Sequence, residues 1–313
     1  MTVASSTTPI AWAGWMTRVP RGWRPLRIRG TWKNGEMALG DPAKSILQIN
    51  WQRPPKKHFN PERWLKKWRK ALSSETIAES GKETSADFSP AMTLAGVDKP
   101  SGRHYPCWCG YSEQADLIVE IRTSATTEKD DERVLRELIL PALRATPADA
   151  PTHWALFECS YVTPTGYKYT DYELNAGDIA IRLESEDATS LVIRQLYPAD
   201  LALQRRDLTD WLYSLPFKER LARRTVSGPH DIVVASFGSE LHGVMRHGKR
   251  TLRTLLRFVT CAVFVEAVVL DEDQNRLCFA HFDARKRVDE KVLKYVLANM
   301  NWHIRETTGN YGP

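Results

Sequence analysis

The stretch Pro20-Arg-Gly22-Trp23 is matched by Pro164-Thr-Gly166-Tyr167, and this pairing decides the fold. Three further matches follow in the same order: Gly35-Glu-Met-Ala-Leu39 with Gly177-Asp-Ile-Ala-Ile181, Leu47-Gln-Ile49 with Leu191-Val-Ile193, and Trp68-Arg-Lys-Ala-Leu72 with Trp211-Leu-Tyr-Ser-Leu215. Their offsets are 144, 142, 144 and 143 residues, and Leu117-Ile-Val-Glu120 matches Leu277-Cys-Phe-Ala280 at 160. Self-similarity at a fixed spacing is typical of a duplicated unit. The sequence therefore predicts one unit present twice.

Hydrophobic periodicity gives the expected elements of each unit. In the first unit, alternation predicts strands near 23–32, 37–39 and 46–51, and Asn34-Gly35 is typical of a hairpin turn. Asn60-Pro61 predicts the start of a helix whose inner face carries Trp64 and Trp68. A polar loop over 73–102, two strands and a helix over 130–145 complete the pattern β-β-β-α, loop, β-β-α.

The length and the repeat agree on two domains. A chain of 313 residues exceeds the size at which single cores stop growing. Thr146-Pro-Ala-Asp-Ala-Pro-Thr152 is a short, Pro-punctuated connector between the copies. We predict an N-terminal extension at 1–17, a first repeat at 18–146, a linker at 147–152, a second repeat at 153–305 and a tail at 306–313.

The Pro-x-Gly-aromatic opening, the hairpin, the third strand, the helix and the closing strand pair together resemble the PsbP-like fold. The resemblance covers most of both units. It implies tandem α+β domains, each an antiparallel sheet flanked by helices, in a pseudo-two-fold arrangement. It also implies domains that bind other macromolecules and lack catalysis, and no functional residue is carried over from the family.

The composition is that of an ordinary globular protein, with 42% hydrophobic and 26% charged residues. No apolar run approaches the roughly 20 residues that span a bilayer. The apolar start has no basic residue before it, which argues against a secretory signal. The five cysteines are irregularly spaced and do not resemble a disulfide framework. We expect a reduced, cytoplasmic protein.

Basic residues are concentrated between Arg18 and Lys70, where 15 Lys and Arg face three acidic residues. A second group lies within 241–265, which contains no acidic residue; on a helix its spacings of three and four would form one cationic stripe. Such groups can neutralise phosphates or an acidic partner. The predicted binding residues are Lys56, Lys57, Arg63, Lys66, Lys67, Lys70, Arg246, Lys249, Arg250, Arg253 and Arg257.

Two other clusters could carry chemistry. Cys107-Trp108-Cys109 has His104 nearby, but structural zinc sites usually draw on two ligand pairs. Asp116 with Glu120-Ile121-Arg122 is distantly similar to a nuclease pattern, although Arg stands in place of Lys. Neither cluster recurs in the second copy, so we predict no metal site, no catalytic residue and no cofactor.

Two classes of function remain. We expect a non-enzymatic adaptor or scaffold subunit that binds a protein partner, because the resemblance implies partner binding. The alternative is an accessory subunit that binds nucleic acid through its basic stripes. A metal-dependent enzyme such as a nuclease ranks third. Features present in only one copy cannot be required by the shared fold, so any specific activity should lie where the copies differ.

Overall fold

The described part of the chain forms two compact units in a computed structural model. The first unit runs to Tyr161 and includes Asn301–Trp302, and the second runs from Val162 to Met300. The predicted linker at 147–152 precedes this division. The structure describes residues 7–41, 43–55, 59–72, 76–79, 85–97, 104–123, 133–157, 159–215, 225–226, 232–237, 241–253, 259–284 and 289–302.

The first unit is built from two antiparallel sheets. One has the strand order β10-β2-β1-β11-β12-β21 and the other β3-β4-β5-β9-β8-β7-β6. The strands are β1 (Thr7–Trp12), β2 (Trp15–Pro20), β3 (Arg24–Gly30), β4 (Asn34–Asp41), β5 (Lys44–Gln52), β6 (Thr76–Glu79), β7 (Ala91–Val97), β8 (His104–Ser112), β9 (Leu117–Thr123), β10 (Arg144–Ala145), β11 (Thr152–Leu156), β12 (Cys159–Thr163) and β21 (Asn301–Trp302).

Tryptophans fill the core between these two sheets. Trp15 on β2 lies 6.4 Å from Trp51 on β5, and Trp12 meets Trp154 edge to face at 5.6 Å, measured between ring centroids. All four indoles are at most 2% exposed. Aromatic side chains bury large areas and gain further from such geometry. The Trp-rich start of the sequence is therefore core.

A helix covers the opposite face of the seven-stranded sheet. Helix α1 (Pro61–Leu72) buries Leu65, Trp68 and Leu72 against residues of β7, β8 and β9. Asn60 caps it, because its Oδ1 accepts the backbone N–H of Arg63 at 2.8 Å. Helix α2 is a π-helical turn at Leu135–Ile139 that continues as an α-helical turn at Leu140–Ala142.

The second unit contains one eight-stranded antiparallel sheet, in the order β13-β14-β15-β20-β19-β18-β16, with β17 also paired to β18. Helices α3 (Ala199–Leu203) and α4 (Leu208–Ser214) pack on one face, and α5 (Glu290–Ala298) follows the last strand. The strands are β13 (Lys168–Asn175), β14 (Asp178–Glu184), β15 (Ser190–Leu196), β16 (Thr225–Val226), β17 (Ile232–Phe237), β18 (Leu241–Arg253), β19 (Val259–Asp271) and β20 (Arg276–Ala284).

The seven-stranded and eight-stranded sheets share one connectivity and register. Ile49 lies opposite Met37 and Ile121, and Ile193 lies opposite Ile181 and Ala280. Equivalent positions are therefore 144 residues apart in the first three strands and 159 apart in the last strand. The sequence offsets of 142 and 160 are corrected by these pairings. Glu120 is thus equivalent to Phe279.

The shared Pro-x-Gly-aromatic motif is a turn before each sheet. Gly22 has φ +101° and Gly166 has φ +92°, in the left-handed region that favours glycine. In the first unit the Trp23 N–H donates to the Pro20 carbonyl at 3.0 Å. The motif therefore has a structural role in both units.

The predicted α+β class is wrong, because antiparallel strands dominate both units. The longest α-helix in the described ranges is α1, with 12 residues. Residues predicted as an extension form β1 and β2, and residues predicted as a loop form β6 and β7. These strands pair with distant partners, as Ala11 does with Ala155. Local periodicity does not reveal such pairing.

Candidate functional site

The predicted basic residues of α1 form an exposed face. Positions 63, 66, 67 and 70 are exposed, while Leu65, Trp68 and Leu72 face the sheet. We call this surface the α1 basic face; it comprises Arg63, Lys66, Lys67 and Lys70. The calls at Lys56 and Lys57 lie outside the described residues.

The second predicted basic stripe does not form. Residues 246–253 belong to strand β18, in which successive positions alternate between the two faces of the sheet, so spacings of three and four do not share a face. Arg246 is buried and paired with Glu266, so it is no surface cation. Lys249, Arg250 and Arg253 lie on the same strand, and Arg257 falls outside the described residues.

An open cleft of about 330 Å³ lies beside α1 in the first unit. We call it the hairpin cleft, because residues of the β3–β4 hairpin line it. Trp64 was expected in the core with Trp68, but it is half-buried and lines the cleft. The other side chains used below are Arg29, Asn34, Glu36, Asn50, Gln52 and Glu120.

The strand register aligns the charged part of this cleft. Arg29 lies opposite Glu36, Glu36 opposite Asn50, and Asn50 opposite Glu120, so the four residues form one row across β3, β4, β5 and β9. Arg29, Asn34 and Gln52 are exposed, and the others are half-buried. The cleft therefore offers a guanidinium and amides to solvent.

Both carboxylates of the row have partners within the first unit. Glu36 pairs with Arg27 at 3.1 Å and accepts a hydrogen bond from Gln48 at 2.9 Å. Glu120 accepts the indole N–H of Trp68 at 2.8 Å and Nε of Arg122 at 2.5 Å. Because each carboxylate is neutralised by its own arginine, the remaining charge in the cleft is that of Arg29.

The second unit holds a buried charged network. Arg246 donates from Nε to Glu266 at 2.8 Å, and the His281 ring contacts Glu266 through Nδ1 at 2.9 Å and Asp283 through Nε2 at 3.2 Å. Glu266 is fully buried, and Arg246 and His281 nearly so. With His281 protonated, two cations balance two anions. Sequence reasoning missed Glu266, whose only signal is a lone acid in an apolar strand.

The network shifts the pKa of two members. Burial alone would raise the pKa of Glu266, but hydrogen bonds and charges from His281 and Arg246 lower it overall. Burial alone would lower the pKa of His281, but hydrogen bonds to Asp283 and Glu266 raise it overall. Both shifts favour the charged forms. The arrangement ties β18, β19 and β20 together.

The other two sequence clusters have structural surroundings. Cys107 and Cys109 are buried under α1, and burial is the main cause that raises the pKa of the Cys109 thiol well above its usual range. Asp116 lies in the β8–β9 turn and accepts a hydrogen bond from the Tyr111 hydroxyl at 3.4 Å. Across the described ranges, no group of three or more His, Cys, Asp or Glu is placed to hold a metal ion.

Sequence reasoning found α1 but missed the cleft residues Arg29 and Asn34. The signal for Arg29 is the basic block between Arg18 and Lys70, in which it is one cation among many. Asn34 has no functional signal, because Asn-Gly is explained by the hairpin turn. Among the described helices, none is long and apolar enough to cross a membrane.

No known protein family and no curated protein sequence matches the chain. A solved protein from Bacteroides thetaiotaomicron VPI-5482 is 12% identical, with a TM-score of 0.29, over 49% of this chain and 47% of that one, so the chain spans about half of its length. The T6SS immunity protein TplEi from Pseudomonas aeruginosa, solved with the "L" peptide, is 8% identical, with a TM-score of 0.30, over 96% of this chain and 99% of that one. Neither similarity carries an argument about function. The PsbP-like resemblance stays a sequence-based prediction.

Proposed function

We propose that the protein is a non-enzymatic adaptor that binds a protein partner through the α1 basic face and the adjoining hairpin cleft. The observation that carries this proposal is their position side by side in the first unit, where Trp64 belongs to α1 and also lines the cleft. A cationic rim steers an acidic partner, and a concave surface next to it supplies contacts that fix the partner's position.

The shape and charge of this surface favour a polypeptide over a nucleic acid. The cleft is at the small end of the usual range for ligand sites, which is about 300–1,000 Å³, and its lining mixes amides, an indole and paired charges. A nucleic acid brings a phosphate with every nucleotide and needs a continuous basic track. The second predicted basic stripe, which would have extended such a track, does not form because Arg246 is buried.

A cytoplasmic location is part of the same proposal. The thiols of Cys107, Cys109, Cys159 and Cys278 are free and buried, as is typical of proteins in a reducing compartment.

The proposal predicts that reversing the charge of α1 abolishes partner binding. We would compare the triple variant Lys66→Glu, Lys67→Glu, Lys70→Glu with a control, Lys168→Glu, Lys291→Glu, Lys294→Glu, which changes net charge equally on the second unit. Partners co-purified from the native host would be identified by mass spectrometry. Because exposed ion pairs contribute roughly 0.2–1 kcal/mol each, affinity for the partner should fall about tenfold or more in the α1 variant only.

Two outcomes would contradict the proposal. One is that no defined partner co-purifies with the wild-type protein. The other is that the α1 variant keeps its partner while the control loses it. A mobility shift with single- and double-stranded DNA and RNA tests the alternative; salt-sensitive binding that the α1 variant loses would favour a nucleic-acid-binding subunit.

A further inference from the structure

The hairpin cleft has an equivalent place in the second unit, and the two places differ in what fills them. By register, Asn34 is equivalent to Asp178 and Asn50 to Arg194. In the second unit Arg194 donates from Nε to Asp178 at 2.7 Å, and a second bond joins Nη2 to the other carboxylate oxygen. An arginine–carboxylate pair of the chain itself therefore occupies this place in the second unit.

The first unit has no such pair at the equivalent positions, because both carry amides. It has instead a cation nearby, Arg29, at the position equivalent to Glu173. The ion pair recorded for Glu36 is with Arg27 rather than with its cross-strand neighbour Arg29. The hairpin cleft thus presents an exposed guanidinium, while the carboxylate that Asp178 supplies in the second unit is replaced by Asn34.

We propose that the hairpin cleft binds a glutamate or aspartate side chain of an acidic polypeptide segment, with Arg29 as the cation that pairs with it. This inference rests on the proposed function and names the chemistry of the partner. A guanidinium matches a carboxylate with two parallel hydrogen bonds, and such charge-assisted bonds are about twice as strong as neutral ones. Asn34 and Gln52 supply amide donors, and the Trp64 indole forms a wall.

The surroundings of Arg29 agree with an acidic occupant. Glu36 and Glu120 are each neutralised by an arginine of the first unit, so they do not cancel the charge of Arg29. The α1 basic face lies on the other side of Trp64 and attracts further acidic residues of the same segment. Attraction from several cations raises the association rate, and the cleft fixes the register of the segment.

The test uses two synthetic peptides, one with three consecutive glutamates and one with glutamines in their place. Binding is followed by ¹⁹F NMR of the full chain labelled with 5-fluorotryptophan, with the Trp64 resonance assigned by Trp64→Phe. We expect the glutamate peptide to shift the Trp64 resonance in a saturable manner. The glutamine peptide, which keeps the size but lacks the charge, should leave that resonance unchanged.

Two variants and a control locate the anchor. Arg29→Gln should weaken binding of the glutamate peptide about tenfold, the expected loss for a charge-assisted pair. Arg24→Gln is the matched control, since Arg24 is also exposed on β3 but does not line the cleft; it should change the affinity less than about twofold. The double variant Asn34→Asp, Asn50→Arg copies the second unit's pair, so it should close the cleft and abolish the Trp64 shift while the protein stays folded.

The proposal is overturned if both peptides shift Trp64 equally, if neither does, or if the shift survives Arg29→Gln. It is also overturned if an oligothymidylate shifts Trp64 at lower concentration than the glutamate peptide. The proposed function is judged separately: a partner that depends on α1 but is retained by the double variant leaves the adaptor in place and removes only this role of the cleft.

Discussion

At the scale of single residues, Glu266 and His281 show how a charged cluster can be buried. An unpaired buried charge is expensive, and removing one partner of a buried pair typically costs about 3–5 kcal/mol. Here Arg246 and His281 both contact Glu266, and Asp283 completes the charge balance. Deprotonation of His281 leaves one uncompensated negative charge among these groups. The network is therefore sensitive to the protonation of one ring.

This network predicts a pH dependence of stability. The pKa of His281 is raised in the folded protein, since its hydrogen bonds to Asp283 and Glu266 outweigh burial. Its protonated form therefore contributes stability that is complete below the unfolded value of about 6.5 and is lost as pH rises through the folded value. Urea unfolding from about pH 6 to pH 9 should show this loss in the wild type, whereas His281→Gln should lack it.

The control for this experiment is His153→Gln, which changes an exposed histidine of the first unit. It should keep the wild-type profile. A His281→Gln protein that loses stability with rising pH as steeply as the wild type would show that the network does not control the effect.

At the scale of elements, the short helix α3 depends on one distant asparagine. Asn275 accepts the Ala199 N–H at its carbonyl at 2.8 Å and the Asp200 N–H at Oδ1 at 3.0 Å, and its own Nδ2 donates to Asp200 Oδ1 at 3.0 Å. Asn275 also has φ +51°, a conformation that few residues adopt readily. One residue thus shapes the β19–β20 turn and caps α3.

Two substitutions separate these roles. Asn275→Gly removes the side-chain bonds but tolerates the backbone conformation, so it should destabilise the protein by about 1–2 kcal/mol. Asn275→Ala loses the same bonds and adds backbone strain, for a further loss of about 1 kcal/mol. Chemical denaturation measures both. Equal stability of the two variants, or an alanine variant as stable as the wild type, would contradict this account.

Some elements are predictable from the sequence and others are not. Helix α1 is announced by Asn60-Pro61 and by apolar residues at helical spacing, and the β3–β4 hairpin by Asn34-Gly35. The segment after Leu241 has basic residues at helical spacing but folds as β18, because it lies between β17 and β19 in the sheet. Tertiary pairing overrides local periodicity there.

At the scale of the whole molecule, the sequence matches indicate two similar sheets but not how rich in strands the units are. The six-stranded sheet gathers segments from residues 7–20, 144–145, 152–163 and 301–302. Two of its strands have only two residues, too few for any periodicity. In the candidate site, the cations of α1 could be predicted from the sequence. The importance of Arg29 could not, since it depends on which neighbour pairs with Glu36.

Comparison of the two sheets also separates fold from function. Trp68 and Trp211 both face their sheets, but Trp68 donates to Glu120, whereas Trp211 meets Phe279 at 6.1 Å between ring centroids. Since Phe279 serves at the position equivalent to Glu120, the shared architecture does not require a carboxylate there. The polar row of the hairpin cleft is therefore specific to the first unit.

The most direct test of the adaptor proposal is zero-length carbodiimide cross-linking of the purified complex with its partner, followed by mass spectrometry. Carbodiimide joins a lysine amine to a carboxylate that is already in contact with it. The account predicts cross-links from acidic residues of the partner to Lys66, Lys67 and Lys70 on α1. Cross-links confined to lysines of the second unit, such as Lys168 and Lys291, with none on α1, would contradict it.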